Sequence, residues 1–228
     1  MLIGILQTGL PPEDAVAEHG DYPEMFETLL AGHGLRFRTW LVVNGEFPDS
    51  VADADGWLIT GSRHGVYEDH PWIAPLERFI RAVRADGRPM VGICFGHQIM
   101  AQALGGKVEK FAGGWSIGPT AYRWDGREIT LNAWHQDQVV EPPDGAEVIA
   151  ATDFCRFAGL AYGDQMLSLQ PHPEFSPGFI DALIRLRGQN LPDDMKGAAL
   201  AALDLPNDSR LAGDRIARFF LEHRKPAT

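Results

Sequence analysis

The sequence predicts an α/β fold with a mostly parallel, doubly wound sheet. Two observations support this class: short apolar runs of strand length recur through the first half of the chain, and helical patterns separate several of them. Alternation of this kind favours parallel pairing, with helices covering both faces of the sheet. The 228 residues are 45% hydrophobic, so the chain can bury a substantial core within one domain.

Four apolar runs in the first half of the chain are predicted strands. They lie at residues 2–6, 37–43, 56–60 and 90–93. Between the third and fourth runs, apolar residues recur at helical spacing from Ile73 to Val83, and Gly87 ends the segment. Residues 115–169 contain shorter extended runs separated by turn sequences, which predicts a smaller antiparallel β element.

The last part of the chain has a helical pattern. Helices are predicted at residues 177–187 and 209–223, with a polar loop around residues 191–194 between them. We therefore expect a single domain over residues 1–228, with its core at about 1–185 and a helical extension at about 186–228.

Charge and composition narrow the function classes. The formal net charge is -11, and the sequence has neither a basic stripe nor a GxxxxGK[ST] phosphate loop, so nucleic acid is not an expected partner. Two cysteines are too few for a disulfide framework and suit a reducing cytoplasm. The apolar start lacks a basic leader and is too short for a signal core or a membrane span, so we predict a cytoplasmic protein without membrane contact.

One cysteine has the sequence context of a nucleophile. Cys94 lies between Gly92 and Gly96, after an apolar run and at the start of a predicted helix, which is the layout of a nucleophile elbow. A helix N-terminus favours a thiolate, and the backbone N–H of Phe95 can stabilise a developing oxyanion. Cys155 has no flanking glycines, so we predict that it is a small buried core residue.

A base and its orienting carboxylate are predicted downstream. Prolines on both sides of His172 hold the segment extended, so the side chains of His172 and Glu174 project to the same side. His172 can then accept the cysteine proton and return it to the leaving group, while Glu174 orients the imidazole. His135 and Asp137 have the same spacing and form a rival dyad.

These two motifs resemble those of a known family. The run at residues 92–98, followed downstream by His-Pro-Glu, looks like the signature of class I (triad) glutamine amidotransferases, in particular their GMP-synthase-like branch of stand-alone domains. The resemblance covers about residues 1–185, and the pair of motifs in this order is highly specific. It implies a flavodoxin-like three-layer α/β/α sandwich, a Cys94–His172–Glu174 triad, and hydrolysis of a γ-glutamyl amide through a glutamyl thioester.

The resemblance also implies a second oxyanion donor. In the family, a glycine stretch after an earlier strand supplies it; here the stretch is Thr60-Gly61-Ser62, where the family more often has two glycines and a proline. The implied donors are the backbones of Gly61 and Phe95. The resemblance implies no cofactor, and because the sequence has no HExxH helix and no paired CxxC, we predict no metal site.

Five residues are predicted to contact the substrate. Ser62, His64 and Tyr67 lie in a polar loop after the third strand, which suits contacts to α-amino and α-carboxyl groups. Gln98, one helical turn after the cysteine, can hold the glutamyl group. His135 is expected to line the pocket, as the corresponding stretch does in relatives.

Three functions remain open from the sequence. The first is a stand-alone enzyme that hydrolyses the γ-amide of glutamine, or a related small-molecule γ-glutamyl compound, through a cysteine-bound thioester. The second is a γ-glutamyl peptide hydrolase, and the third is a non-catalytic regulatory module on the same fold. Because no synthetase domain is predicted, an ammonia-producing enzyme would need a separate synthetase or ammonia-acceptor subunit.

Overall fold

Eleven strands and seven helices alternate along residues 1–225, the part of the chain that the computed structural model describes. The strands are β1 (Leu2–Leu6), β2 (Arg36–Trp40), β3 (Gly56–Ile59), β4 (Met90–Ile93), β5 (Lys107–Lys110), β6 (Ser116–Trp124), β7 (Arg127–His135), β8 (Asp137–Glu141), β9 (Glu147–Ala151), β10 (Gly159–Ala161) and β11 (Met166–Leu169). The helices are α1 (Glu13–His19), α2 (Tyr22–Leu29), α3 (Ile73–Asp86), α4 (Phe95–Ala103), α5 (Pro177–Arg187), α6 (Asp193–Ala201) and α7 (Ser209–Glu222).

Nine strands form the main sheet, in the order β2-β1-β3-β4-β11-β10-β9-β6-β7. The first five of these pair in parallel, and the remaining four continue the sheet in antiparallel pairing. Every residue of β3, β4 and β11 is buried, as expected for central strands of a sheet covered on both faces. The predicted α/β class with a mostly parallel central sheet is confirmed.

The extended runs after residue 115 divide between two sheets. A separate small antiparallel sheet is present, as predicted, but it pairs β8 with β5, which lies before the predicted region at 115–169. In contrast, β6 and β7 join the main sheet, because the end of β6 pairs with β9 at Arg123 and Trp124. Pairing between strands so distant in sequence is set by tertiary contacts that the local pattern does not contain.

Element limits agree with the sequence at β1, β4 and α5, β3 and α7 each end one residue earlier than predicted, and larger differences occur at two places. The second strand ends at Trp40, and Val42–Asn44 forms a 3-10 turn instead of continuing it. α6 begins at Asp193, inside the predicted polar loop, because Pro192 and two aspartates in the first turn suit a helix N-terminus. The last three residues of the predicted extension at 186–228 lie outside the described residues.

Helices cover both faces of the main sheet and so complete three layers. On one face, α3 and α4 pack on the strands through residues such as Ile80 and Phe95, around the fully buried Trp57. On the other face, α2 and α7 pack through Phe26 and Phe220. None of the helices within residues 1–225 combines the length and the apolar composition that a bilayer span requires.

The carboxyl ends of three adjacent parallel strands lie side by side. β3 pairs with β4, and β4 pairs with β11. Gly61 follows β3 closely, Cys94 follows β4 directly, and residues 170–174 follow β11. The topology therefore brings three polar segments to one edge of the sheet, where open α/β sheets bind their ligands.

Two glycines are expected to respond to alanine with opposite changes in stability. A Cβ at Gly4 would overlap the ring of Trp57 and lie 3.0 Å from the ring of Trp40, and both indoles are buried. Gly4→Ala should therefore lower the free energy of unfolding by about 1–3 kcal/mol. A Cβ at Gly197, within α6, would meet no neighbouring atom within 4 Å. Gly197→Ala should therefore raise the free energy of unfolding by about 0.5–1 kcal/mol. Urea unfolding measures both, and a fully stable Gly4→Ala protein would contradict the close packing.

Candidate active site

Cys94 occupies a strained turn between β4 and α4. Its backbone has φ 53° and ψ -103°, a conformation that residues with a side chain rarely adopt. Glycines permit the turn: a Cβ at Gly92 would overlap the carbonyl of Gly96, and a Cβ at Gly96 would overlap the carbonyl of Ile59. The backbone therefore has the geometry of a nucleophile elbow.

Hydrogen bonds fix Cys94 at the start of α4. Its N–H donates to the carbonyl of Leu169 at 2.8 Å, and its carbonyl accepts from the N–H of Gln98 at 3.0 Å. Phe95 is the first residue of α4, where backbone N–H groups have no acceptor within the helix. Free N–H groups and the positive end of the helix dipole thus lie beside the cysteine.

The antiparallel half of the sheet fixes His172. Its N–H donates to the carbonyl of Asn132, in β7, at 2.8 Å, and the side-chain amide of Asn132 donates to the carbonyl of Phe175 at 2.8 Å. The imidazole stacks on the ring of Phe175, with centroids 3.8 Å apart and planes inclined by 5°. These contacts restrict rotation of the imidazole.

His172 and Glu174 form a buried pair. Nδ1 of His172 lies 2.7 Å from Oε1 of Glu174, and the two side chains are 3% and 1% exposed. Burial opposes a charged imidazole, but the neighbouring Cys94 and then the Glu174 carboxylate raise the pKa of His172 to about 10. Because Glu174 occupies Nδ1, Nε2 is the ring nitrogen available to the thiol.

Gly61 brings the loop after β3 against the other two segments. The hydroxyl of Thr8 donates to the carbonyl of Thr60 at 2.9 Å, and the hydroxyl of Thr60 donates to the carbonyl of Gly61 at 3.1 Å. A Cβ at Gly61 would lie 3.0 Å from Cε1 of His172 and 3.7 Å from Cβ of Cys94. A larger residue here would therefore press on the imidazole.

These segments open into a cleft of about 800 Å³. Most of the residues predicted to form the site line this cleft, namely Gly61, Ser62, His64, Tyr67, Cys94, Gln98, His135 and His172. Glu174 and Phe95 are buried and do not line it. The structure thus brings the eight residues together from segments that are well separated in sequence.

Four of the five side chains predicted to contact substrate, all except His135, already have hydrogen-bond partners within the protein. The hydroxyl of Tyr67 donates to the carboxylate of Asp137 at 2.9 Å, and the side-chain amide of Gln98 donates to the backbone carbonyl of Asp137 at 2.9 Å. The hydroxyl of Ser62 accepts from the N–H of His64 at 3.2 Å. These bonds hold the walls of the cleft in place.

The rival pair, His135 and Asp137, does not form a base and orienter. The carboxylate of Asp137 accepts from Tyr67, and within residues 1–225 neither ring nitrogen of His135 has a side-chain hydrogen-bond partner. Burial, and then the charge of His172, lower the pKa of His135 to about 3. The ring of His135 is therefore neutral at pH 7, and the geometry favours His172 as the base.

Two other buried groups near the site have structural contacts. Nδ1 of His97 lies 2.8 Å from the hydroxyl of Ser168, which lies 3.1 Å from the hydroxyl of Tyr162, and burial lowers the pKa of His97 to about 3. Cys155 is buried, and burial raises its pKa to about 12. A thiol held protonated in this way is not a nucleophile at neutral pH.

Several further cleft residues have no motif in the sequence. They are Tyr22, Lys110, Trp115, Trp134 and Arg187. Their local patterns are those of ordinary helix, strand or loop residues. Among them, only Arg187 has a sequence position that could have indicated a place near the site, because it ends the helix that follows the histidine segment. Its guanidinium donates to the carbonyl of Leu10 at 3.0 Å.

The chain is similar to proteins of one family. It matches the family model described as Glutamine amidotransferase class-I over residues 39–185. It is 29% identical to gamma-glutamyl peptidase 4 of Arabidopsis thaliana, over 94% of this chain and 92% of that protein. It is 32% identical to one subunit of the glutamine-hydrolyzing GMP synthase of Archaeoglobus fulgidus, over 70% of this chain and 86% of that protein.

A solved structure agrees with the family match at the level of the fold. The crystal structure of a glutamine amido transferase from Methylobacillus flagellatus superposes with a TM-score of 0.79 at 20% identity, covering 99% of this chain and 96% of that chain. The family match spans well over half of the chain and includes all three carboxyl-end segments of the sheet. The chain therefore belongs to the class I glutamine amidotransferase family.

Proposed function

We propose that this protein hydrolyses γ-glutamyl amide bonds, with Cys94 as nucleophile, His172 as base and Glu174 as its orienting carboxylate. One observation carries the proposal: a strained cysteine at a helix N-terminus lies beside an imidazole whose Nδ1 is 2.7 Å from a buried carboxylate. Family membership and the similarity to gamma-glutamyl peptidase 4 support the same chemistry.

The proposed reaction has two steps. The Cys94 thiolate attacks the γ-carbonyl carbon and forms a C–S bond; the tetrahedral intermediate then collapses, the C–N bond breaks, and the His172 imidazolium gives its proton to the leaving nitrogen. In the second step a water attacks the thioester while His172 takes its proton. The C–S bond then breaks, which releases glutamate and regenerates thiolate and imidazolium.

The proposed oxyanion donors are the backbone N–H groups of Phe95 and Gly61. Phe95 is the first residue of α4, so the helix dipole reinforces its N–H. Gly61 lies close to both His172 and Cys94, and a side chain at this position would press on the imidazole. A single donor of this kind typically lowers the barrier by about 2.7–4 kcal/mol.

The protonation state of His172 suits the first step. Because its pKa is raised to about 10, the imidazole is protonated at pH 7. A cationic imidazole favours the thiolate form of an adjacent cysteine. The imidazolium can then give its proton to the leaving nitrogen in the first step.

The cleft favours γ-glutamyl peptides as a second candidate substrate beside glutamine. His172 must reach the leaving nitrogen, so the leaving group lies on its side of the cleft, where Phe175 stacks on it and Tyr22 stacks on Phe175. Arg187 also lines the cleft, and its charge acts on the phenol of Tyr22. A guanidinium there can bind the carboxylate of a departing amino acid or peptide, which ammonia lacks.

The two substrates imply different partners. If glutamine is the substrate, we propose that ammonia passes to a separate synthetase or acceptor protein, and the similarity to a GMP synthase component supports this. If a γ-glutamyl peptide is the substrate, the products leave without an acceptor and no partner is required.

Replacing the proposed nucleophile should abolish turnover. Cys94→Ala is expected to lower glutamate release by at least about 10³-fold with either substrate, because the residual rate lacks covalent catalysis. Cys155→Ala is the matched control: it also removes a buried thiol and should retain activity. Circular dichroism checks that both variants are folded. Equal activity of Cys94→Ala and wild type would refute the mechanism, and an inactive folded wild type would favour a regulatory module.

His172 should titrate far above the ordinary histidine range. A pKa raised above its unfolded value contributes stability that is fully present below about pH 6.5 and is lost as the pH rises through about 10. Cys94 makes the largest contribution that raises the pKa of His172, so this pKa should fall in Cys94→Ala. NMR of histidine Cε1 signals measures this change. His97 and His135, with pKa values near 3, should stay neutral above pH 5 in both proteins. Titration of His172 near pH 6.5 in both would contradict the coupling.

Arg187 should discriminate between the two substrates. Arg187→Ala is expected to raise KM for a γ-glutamyl dipeptide by roughly tenfold, the value of a lost charge-assisted hydrogen bond, with little effect on glutamine. Arg185→Ala is the control, because this arginine is on the same helix but pairs with Asp181. Glutamate release with both substrates measures the effect. An equal loss for glutamine and dipeptide would place Arg187 outside the leaving-group site.

A further inference from the structure

A group of metal-ligating side chains lies at the rim of the cleft and takes no part in the proposed chemistry. Nδ1 of His64 is 3.2 Å from Oε2 of Glu68, and Nε2 of His70 is 2.7 Å from the same oxygen. The three ligand atoms all lie within 4.8 Å of one another. Only His64 and Glu68 line the cleft, so the group marks its edge.

The spacing of these atoms fits a small ion. Four ligands placed tetrahedrally at about 2.0–2.2 Å from Zn²⁺ are about 3.3–3.6 Å from one another. The two histidine–glutamate separations are at or below this range, so a modest outward movement would admit an ion among the three atoms. Two imidazoles and a carboxylate suit Zn²⁺ and similar divalent transition ions, and they leave a fourth position for water or another oxygen ligand.

Packing holds the three side chains near this arrangement. The ring of His70 stacks on the buried Trp72, with planes inclined by 9°, and the rings of His64 and His70 meet edge to face at 4.2 Å. The N–H of Glu68 donates to the carbonyl of Gly65 at 3.1 Å, which closes a turn between the two histidines. The two histidine rings and the backbone of Glu68 therefore have defined contacts before any ion binds.

We propose that His64, Glu68 and His70 bind a divalent transition-metal ion, with Zn²⁺ as the best match. The sequence predicts no metal site, because these residues form no standard motif and are brought together only by the turn at Gly65. An ion bound here would fix the loop between β3 and α3, the same loop that carries Ser62 and Gly61. The metal site does not depend on the proposed hydrolase function.

Isothermal titration of the full chain with Zn²⁺ tests the site. Because the thiolate of Cys94 beside His172 can also attract Zn²⁺, the titration is made in wild type and in Cys94→Ala. We expect Cys94→Ala to retain one ion per chain. Loss of even an outer-shell partner typically weakens metal binding 10- to 100-fold, so His64→Ala and His70→Ala should each weaken it by at least about tenfold.

Two further variants separate ligation from folding. Glu68→Gln keeps the size of the side chain and should weaken binding as the histidine variants do. His33→Ala is the matched control, because His33 also pairs with a carboxylate, Asp214, at 2.9 Å but has no third ligand among residues 1–225, and it should bind as wild type does. Absence of binding at millimolar Zn²⁺, loss of binding in Cys94→Ala, or unchanged affinity in His64→Ala and His70→Ala would overturn the proposal.

Discussion

The close approach of α4 to the sheet is the constraint on which the rest of the site depends. Backbone atoms of Gly96 and Ile59 lie so near each other that no Cβ fits at Gly96, and none fits at Gly92 against Gly96. With the helix this close, the chain between β4 and α4 has a single residue in which to turn, and Cys94 adopts φ 53°. Backbone strain of this kind costs about 1–3 kcal/mol and persists only where the surroundings over-determine it. Here the fully buried strands β3 and β4 supply that support.

The parallel strands place the segments of the candidate site, and the antiparallel strands fix the orientation of the His172 imidazole. β3, β4 and β11 bring Gly61, Cys94 and the histidine segment to one edge, but they do not orient the imidazole. Asn132 does so from β7, through its backbone carbonyl to His172 and through its side chain to the carbonyl of Phe175. β7, an edge strand separated from β11 by three other strands in the sheet order, therefore contacts the segment that follows β11. The bend that this requires is consistent with the accumulated twist of a large sheet.

Much of this site could be predicted because its signals are local. The glycine spacing around Cys94 and the prolines around His172 describe backbone conformations within a few residues, and the structure places both segments as expected. The roles assigned to them remain predictions. Long-range features could not be predicted in the same way: the pairing of β6 with β9 depends on tertiary contacts, and Arg187 reaches the cleft only because α5 packs beside it. The polar sequence around Asp193 predicts a loop, but a helix begins there, because acidic residues in a first turn suit a helix N-terminus.

Burial of Glu174 is better explained by its effect on His172 than by a contribution to stability. A carboxylate taken out of water loses several kcal/mol of solvation, and a single buried ion pair rarely recovers more than that. One oxygen of Glu174 bonds to His172, while Oε2 is buried without a hydrogen-bond partner among residues 1–225. A well-packed apolar side chain in its place would be expected to fold at least as well. It would not raise the pKa of His172, and Cys94 alone would then oppose the effect of burial, which is the main cause of the low pKa values of His135 and His97. The contrast among three buried histidines of one protein thus shows that the carboxylate and the cysteine together raise the pKa of His172, whereas burial lowers the pKa of the other two rings.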